Sequence, residues 1–173
     1  ILYIAESGTT GSSIYAYSTI DFNQLSKSAL GAGYYGFGFP LRKVIYDNNN
    51  VYYAGRNFDP SKLASINGTY LDGTNKVNLI YAKENYVFSY TKVYDRESYA
   101  ELGTLPFSAS LVYLDSEDNL YLFNNNTKTI TKQEFAIAPA TPSYTYSNNN
   151  IILDKSLTDW VFDENTNYIY AIS

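Results

Sequence analysis

The carboxylates of this sequence fall mainly in short polar segments between apolar runs, namely Asp47, Asp115, Glu117, Asp118, Asp163 and Glu164. Two carboxylates can hydrolyse a glycosidic bond when they lie about 5 to 9 Å apart and one of them is desolvated. Sequence alone cannot place any pair in that arrangement, so a glycosidase stays open as an alternative without support.

The segment from Asp115 to Asn119 carries many oxygen ligands, as calcium loops do. It lacks the central glycine and the downstream bidentate glutamate of an EF-hand loop. We therefore expect a solvated turn here and predict no metal site.

The chain contains no histidine and no cysteine. The usual general base and the commonest metal ligand are therefore missing, and a serine would lack the partner of a catalytic triad. Disulfides and thiolate metal sites are excluded as well. We predict that the protein is not an enzyme and that it has no catalytic residue and no cofactor.

A G-x-G-x-x-G motif occurs at Gly31, Gly33 and Gly36. In a dinucleotide site a helix must open at the last glycine, so that its amides face the pyrophosphate. Here the chain continues as Phe37-Gly38-Phe39-Pro40, a poor helix start. The motif instead predicts an aromatic-glycine loop that packs against, or rims, a sheet.

Exposed tyrosine and tryptophan can stack on sugar rings and are common at protein interfaces. The candidate ligand or interface residues are Tyr34, Tyr35, Phe37 and Trp160. Tyrosine at alternate strand positions can equally serve cross-strand packing. Trp160, which lies between Leu157 and Val161, is also a core candidate.

Two N-x-[ST] triplets, at Asn67 and Asn125, are candidate glycosylation sites, and we expect both in turns. Such triplets also arise by chance in a chain rich in Asn and Thr.

The composition is that of an all-β protein, since tyrosine, phenylalanine, asparagine, serine and threonine dominate and no long helical periodicity occurs. The run from Leu111 to Lys132 predicts three short strands joined by tight turns. Similar hairpins recur with an asparagine before each returning strand, at Asn50, Asn85, Asn119 and Asn167. The intervals are 35, 34 and 48 residues.

Repeats of this length with several strands each are typical of β-propeller blades. The D-x-x-x-N-Y-I-Y-A pattern of Asp163 to Ala171 resembles the blades of YncE-like and NHL secreted propellers. This resemblance implies propeller-like antiparallel meanders, either as a small ring or as a segment of a larger repeat protein. A fifth hairpin expected at Asn150 breaks the period, so a β-sandwich or jelly roll stays open as the alternative.

The composition also resembles that of secreted surface or filament proteins of thermoacidophilic archaea and their viruses. In some of these an N-terminal strand completes the sheet of the next subunit. The candidate donor strand consists of Ile1, Leu2, Tyr3, Ile4 and Ala5; it could equally belong to its own sheet.

At 173 residues we expect a single all-β domain, 1–173, with a proline-rich connector at 137–143. The net charge of −5 argues against a nucleic-acid partner, and no apolar run is long enough to span a membrane. We expect an extracellular or cell-surface structural domain that assembles with itself or with other surface proteins. The alternative is a carbohydrate- or ligand-binding propeller or lectin-like module that binds glycans.

Overall fold

The computed structural model describes residues 1–5, 13–28, 43–135, 145–152, 156–163, 166 and 168–172, with 145–152 described by its backbone. Every regular element in these ranges is a β-strand, which confirms the all-β prediction. The candidate loop residues Tyr34, Tyr35 and Phe37 and the connector 137–143 lie outside the described residues.

The strands pair with their neighbours in sequence order. The first sheet contains β1 (Leu2–Ala5), β2 (Ile14–Tyr17) and β3 (Gln24–Lys27). The second contains β4 (Ile45–Asp47), β5 (Asn50–Tyr53), β6 (Arg56–Phe58) and β7 (Ile66–Thr69), and the hairpin β8 (Leu71–Asp72) and β9 (Asn75–Lys76) follows it. The third contains β10 (Leu79–Lys83), β11 (Tyr86–Ser89), β12 (Lys92–Asp95) and β13 (Glu101–Thr104). The fourth contains β14 (Leu111–Leu114), β15 (Asn119–Asn124), β16 (Thr129–Glu134) and β17 (Thr145–Ile152), and the hairpin β18 (Asp159–Asp163) and β19 (Tyr168–Ile172) comes last.

The asparagine repeat marks the start of the second strand in each four-stranded sheet. Asn50 and Asn119 are the first residues of β5 and β15, and Asn85 immediately precedes β11. In the first of these turns Asn48 and Asn49 have φ values of 43° and 58°. Two successive left-handed residues match the right-handed twist of a hairpin, and asparagine tolerates that conformation.

The predicted hairpin around Asn150 is wrong. Residues 145–152 form one strand, β17, which pairs antiparallel with β16. The register shifts between Thr131, opposite Asn150, and Gln133, opposite Tyr146, so the additional residues of β17 are absorbed as a bulge. The asparagine run is therefore part of a strand that pairs with the edge of β16. The hairpin that interrupted the predicted repeat is not formed by these residues.

The chain divides into two compact units, one of Ile1–Ser89 and Tyr94–Ala100 and the other of Tyr90–Val93 and Glu101–Ser173. The expectation of a single domain stays a prediction.

In the first unit the second sheet is buried on both faces. Val51 and Tyr53 of β5 pack with Ile14 and Ala16 of β2, whereas Tyr52 between them packs with β10 and β11 through Leu79, Ala82 and Val87. Because side chains alternate along a strand, two opposite cores require three stacked sheets. The first unit is therefore built by stacking sheets face to face.

In the second unit the fourth sheet packs against the last hairpin. Leu111, Phe123 and Ile130 form a buried cluster that Trp160 and Ile169 cover. Alternate residues on the other face of the same sheet, including Leu114, Leu120 and Leu122, are fully buried. This sheet too has two apolar faces.

Candidate interaction surfaces and a tyrosine-lined cleft

The first sheet has one packed face and one exposed face. Tyr3 and Ala5 of β1 lie on the packed face, beside the second sheet. Leu2 and Ile4 point the other way and are 43% and 45% exposed. Their cross-strand neighbours in β2 are Tyr17 and Tyr15. We call this exposed side of the sheet (Leu2, Ile4, Tyr15, Tyr17 and Lys27) the outer face of the first sheet.

The last hairpin also has one packed face and one exposed face. Trp160 and Phe162 lie on the face that packs in the second unit, where Phe162 contacts the rings of Tyr113 and Tyr121. The opposite face carries Val161, Tyr168, Tyr170 and Ile172, all more than half exposed. Asp159 and Asp163 share that face, because they pair with Ile172 and Tyr168. We call these six residues the outer face of the last hairpin.

An aliphatic residue followed by an aromatic one recurs in the first strand of each sheet and in the last hairpin. The five pairs are Leu2-Tyr3, Ile45-Tyr46, Ile80-Tyr81, Val112-Tyr113 and Val161-Phe162. In the first unit Tyr3 stacks on Tyr46, with centroids 5.5 Å apart and planes 18° apart. In the second unit Tyr113 and Phe162 lie 5.1 Å apart. The strands β1 and β4, and likewise β14 and β18, therefore meet through aromatic side chains.

A cleft of about 440 Å³ lies between β4 and β10 in the first unit. Its lining residues are Lys43, Val44, Ile45, Tyr46, Asp47, Ile80, Tyr81, Ala82 and Lys83. The lining therefore comes from consecutive residues of the two strands and includes two tyrosines, two lysines and one aspartate.

Asp47 is held in place by Arg96, which donates a hydrogen bond from Nη2 to its Oδ2. Arg96 is only 5% exposed, and its guanidinium lies 5.9 Å from the centre of the Tyr52 ring. Its backbone carbonyl accepts a hydrogen bond from the Tyr70 hydroxyl, at 3.2 Å. The Tyr52 ring and the hydrogen bond from Tyr70 hold Arg96 in place. Arg96 in turn fixes the Asp47 carboxylate at the edge of the cleft.

Among the described residues, no hydrogen-bond partner is found for Nε and Nη1 of Arg96 or for the hydroxyl of Tyr52. Burial raises the pKa of Tyr52 to about 12, and the charge of Asp47 adds to this while Arg96 works against it. Burial also raises the pKa of Tyr70. Tyr52 and Tyr70 are therefore neutral at ordinary pH.

Asp115, one of the carboxylates expected in turns, binds the backbone of its own turn. Asp115 Oδ1 accepts from the amides of Glu117 and Asn119, at 2.9 and 2.8 Å, and its Oδ2 accepts from Nδ2 of Asn119. Burial alone would raise the pKa of Asp115, but the bonds from Asn119, Glu117 and Tyr121 outweigh it and lower the pKa. Within the described ranges, no group of three acidic side chains is arranged to hold a metal ion.

The predicted residues fall in different places. Trp160 is half-buried against the cluster of Leu111, Phe123 and Ile130, as its core interpretation predicts. Asn125 lies in the predicted turn after β15, where it accepts hydrogen bonds from Lys128 Nζ through its backbone and side-chain oxygens. Ile1 is exposed at the end of β1, which pairs with β2 of the same chain.

The prediction of a turn at Asn67 is wrong, because this residue lies in β7 with its side chain exposed. The next residue, Gly68, pairs with Asn57 of β6. A Cβ atom on Gly68 would clash with the ring of Tyr99. Gly68 is therefore a strand residue that makes room for an aromatic ring.

Sequence reasoning missed Arg96, Tyr46 and Tyr81. The aliphatic-aromatic pair before each turn was a visible signal for Tyr46 and Tyr81. Arg96 had no local signal, since its partner Asp47 lies 49 residues away.

No protein-family model matches the sequence, and no curated protein matches it. Among solved structures, the chain is similar to the computationally designed Ika8 protein, with a TM-score of 0.59 and 12% sequence identity. The similarity covers 96% of this chain and 54% of the designed one, so the chain spans about half the length of that protein. At this identity the similarity shows a shared fold alone. No helix among the described residues is long and apolar enough to cross a membrane.

Proposed function

We propose that this chain is a non-enzymatic extracellular domain that assembles with copies of itself. The proposal rests on one observation: the first sheet and the last hairpin each pack through one face and expose an apolar opposite face. The second sheet, by contrast, buries both of its faces. Apolar sheet surface of this kind is stabilised when another sheet covers it.

The two outer faces differ in charge. Lys27 lies on the outer face of the first sheet, with its Nζ 5.0 Å from the centre of the Tyr15 ring. Asp159 and Asp163 lie on the outer face of the last hairpin. In a head-to-tail contact, the outer face of the first sheet of one copy packs against the outer face of the last hairpin of the next copy. This contact brings opposite charges to the rim of an apolar interface, whereas packing either face against the same face of another copy would bring like charges together. We therefore assign a second copy of this chain as the occupant, in a heterologous contact.

The finer architecture that we propose is a propeller-like array, in which each sheet covers its neighbour and the first strands line the inner side. The stacking of three sheets in the first unit and the meeting of first strands support this arrangement over a two-layer sandwich.

The pairing of β1 within its own sheet changes how the N-terminal strand contributes. Tyr3 and Ala5 pack on the first core cluster, so deleting residues 1–5 would damage the fold together with any interface. We propose that β1 acts through the exposed side chains of Leu2 and Ile4 rather than by strand donation.

An extracellular location and a structural role stay proposals. The absence of cysteine and histidine, the abundance of tyrosine and asparagine, and the two candidate glycosylation sites support them. Carboxylates such as Asp59, Asp95 and Asp115 are engaged in hydrogen bonds that close turns, which supports a structural use of the acidic residues.

Sedimentation velocity over a concentration series tests the proposal. Assembly should appear by about 100 µM and should be lost in Ile4→Lys and in Val161→Asp. Ile20→Asp is the matched control, because Ile20 is 93% exposed in a turn and on neither outer face. Circular dichroism of each variant verifies the fold.

Charge exchange makes the test specific to the head-to-tail contact. Lys27→Glu and Asp163→Lys should each weaken assembly, and the double variant should restore it. A protein that is monomeric at every concentration would contradict the proposal, as would assembly that none of these substitutions alters.

A further inference from the structure

The chain contains a single Asp-Pro bond, between Asp59 and Pro60 in the loop that joins β6 to β7. Proline contributes a tertiary amide nitrogen to its peptide bond. Because this nitrogen is protonated more readily than that of other residues, it is a better leaving group in acid. We propose that the folded protein cleaves its own chain at this bond in mild acid, in a single-turnover reaction of the Asp59 carboxylate.

The loop between β6 and β7 is held in one conformation by its hydrogen bonds. The amide of Asp59 donates to the carbonyl of Ser65, at 3.2 Å, and the amide of Ser65 donates to the carbonyl of Lys62, at 2.7 Å. Leu63 is fully buried, and its amide donates to Ser26 Oγ of β3, at 3.1 Å. The reacting groups of Asp59 are therefore positioned by a fixed loop.

The Asp59 carboxylate is turned toward the bond that it would attack. Its Oδ1 accepts hydrogen bonds from the amide of Ser61, at 2.8 Å, and from the hydroxyl of Ser61, at 2.6 Å. These bonds hold the carboxylate on the C-terminal side of Asp59, where the bond to Pro60 lies. A nucleophile that is fixed next to its target reacts as though its concentration were very high.

The backbone carbonyl of Asp59 is polarised by the same turn. Its oxygen accepts a hydrogen bond from the amide of Lys62, at 3.1 Å. An N–H group aimed at a carbonyl oxygen stabilises the negative charge that develops there during nucleophilic attack. The turn therefore both holds the nucleophile and supplies a donor to the oxygen of the group that is attacked.

The reaction consumes one water molecule. A carboxylate oxygen of Asp59 forms a bond to the backbone carbonyl carbon of the same residue, and the bond from that carbon to the Pro60 nitrogen breaks. The proline nitrogen takes a proton from the solvent and leaves as a secondary ammonium group. Water then opens the cyclic anhydride and a proton is released, so that Asp59 ends one fragment and Pro60 begins the other.

The reaction needs an ionised carboxylate together with acid in the solvent. Hydrogen bonds from the hydroxyl and the amide of Ser61 lower the pKa of Asp59, and the amide and charge of Lys62 add to this effect. Among the described residues Tyr3 of β1 also interacts with Asp59, and Tyr3 is neutral in acid because its pKa is raised. Asp59 therefore stays ionised to a lower pH than an ordinary aspartate does.

The cut would leave the second sheet assembled. Thr69 and Gly68 of β7 pair with Arg56 and Asn57 of β6, so the two fragments stay joined through backbone hydrogen bonds. Cleavage is therefore expected to add the mass of one water molecule to the native protein. The fragments 1–59 and 60–173 should separate only after denaturation.

Mass spectrometry of the full chain after incubation at about pH 4 tests the proposal. We expect the folded protein to be cleaved at least about tenfold faster than the same chain in concentrated guanidinium chloride at the same pH, because only the folded loop holds the reacting groups together. Circular dichroism at this pH verifies the fold.

Asp95 provides an internal control within the same sample. Its Oδ1 accepts hydrogen bonds from the amide and the hydroxyl of Ser98, at 2.7 Å each, as Asp59 does from Ser61. Arg96 follows Asp95 in place of a proline. We therefore expect no cleavage between Asp95 and Arg96.

Two variants separate the chemistry from the role of the turn. Asp59→Ser keeps a side-chain oxygen that can close the turn but removes the nucleophile. Pro60→Ala keeps the carboxylate and replaces the leaving group with a poorer one. Each should slow cleavage at least about tenfold, and Pro60→Ala decides the question if Asp59→Ser does not fold. Ile4→Lys should be cleaved like the native protein, because the reaction does not depend on assembly.

The inference is overturned if the folded protein stays intact, if it is cleaved no faster than the denatured chain, or if Pro60→Ala is cleaved like the native protein. Cleavage at other bonds in place of this one would also overturn it.

Discussion

Asp47, at the end of β4, forms an ion pair with Arg96, which lies 49 residues further along the chain and is 95% removed from solvent. The pair joins the turn between β4 and β5 to the turn after β12 within the first unit. It also places a fixed carboxylate at the wall of the cleft.

Asp47→Asn should destabilise the protein, because it leaves the buried guanidinium of Arg96 without a compensating charge. We expect a loss of about 2 kcal/mol in the free energy of unfolding; this is less than for a fully buried pair, since Asp47 is partly exposed. Urea denaturation measures the change. Glu97→Gln, an exposed acid close to Arg96 in sequence, should change stability by less than about 0.5 kcal/mol. Equal effects of the two substitutions would contradict a role for the pair.

Tyr52→Phe and Tyr70→Phe should have opposite effects on stability. The hydroxyl of Tyr52 is fully buried and has no hydrogen-bond partner among the described residues, so its removal relieves a desolvation cost. The hydroxyl of Tyr70 donates to the carbonyl of Arg96, so its removal should cost about 1 kcal/mol. Thermal unfolding of the two variants measures the difference. Equal losses would show that the environments of the two hydroxyls are alike.

The stability of the native protein should fall in alkali, and Tyr52 should contribute to this. Its pKa is raised from 10.0 to about 12 in the folded protein. Because its pKa is higher in the folded than in the unfolded protein, the contribution of Tyr52 to stability is complete below pH 10 and is lost as the pH rises toward 12. Tyr52→Phe should therefore lose less stability than the native protein between pH 10 and pH 12, as followed by chemical denaturation. The same slope in both proteins would contradict this assignment.

At acid pH the turn carboxylate of Asp115 should control part of the stability. Its folded pKa is lowered from the model-compound value of 3.8 by hydrogen bonds from Asn119, Glu117 and Tyr121, which outweigh burial. A lowered folded pKa gives stability that is present above pH 4 and lost as the pH falls through the folded pKa. The stability difference between native protein and Asp115→Asn should therefore be largest near neutral pH and should shrink in acid. Thermal unfolding midpoints across the pH range measure it, and a difference that is constant with pH would be the contrary result.

The two candidate glycosylation sites should differ in occupancy. Asn67 is exposed on β7, the edge strand of its sheet, whereas Asn125 is half-buried and its oxygens bind Lys128. We expect a glycan on Asn67 more often than on Asn125 when the chain is secreted from a glycosylating host. Peptide mass spectrometry measures both sites, with Asn67→Gln as the control. Higher occupancy at Asn125 would contradict the prediction.

Local patterns identified most of the turns and strands. The left-handed turn at Asn48 and Asn49 and the turn that Asp115 closes follow from side chains acting on their own backbone. The recurrence of asparagine before β5, β11 and β15 marked the repeat for the same reason. Within the described ranges, the sequence misled where a distant partner intervened, as with Asn67 in β7 and the asparagine run in β17.

The sequence by itself determined that this chain forms short antiparallel strands joined by tight turns, because strand propensity and turn chemistry act over a few residues. Only the tertiary structure decided which faces are covered and which stay exposed, and which distant side chains meet. Arg96 meets Asp47, Tyr3 meets Tyr46 and Gly68 makes room for Tyr99 because sheets stack. Residues that meet because sheets stack lie far apart along the chain, so no local sequence pattern predicts their contact.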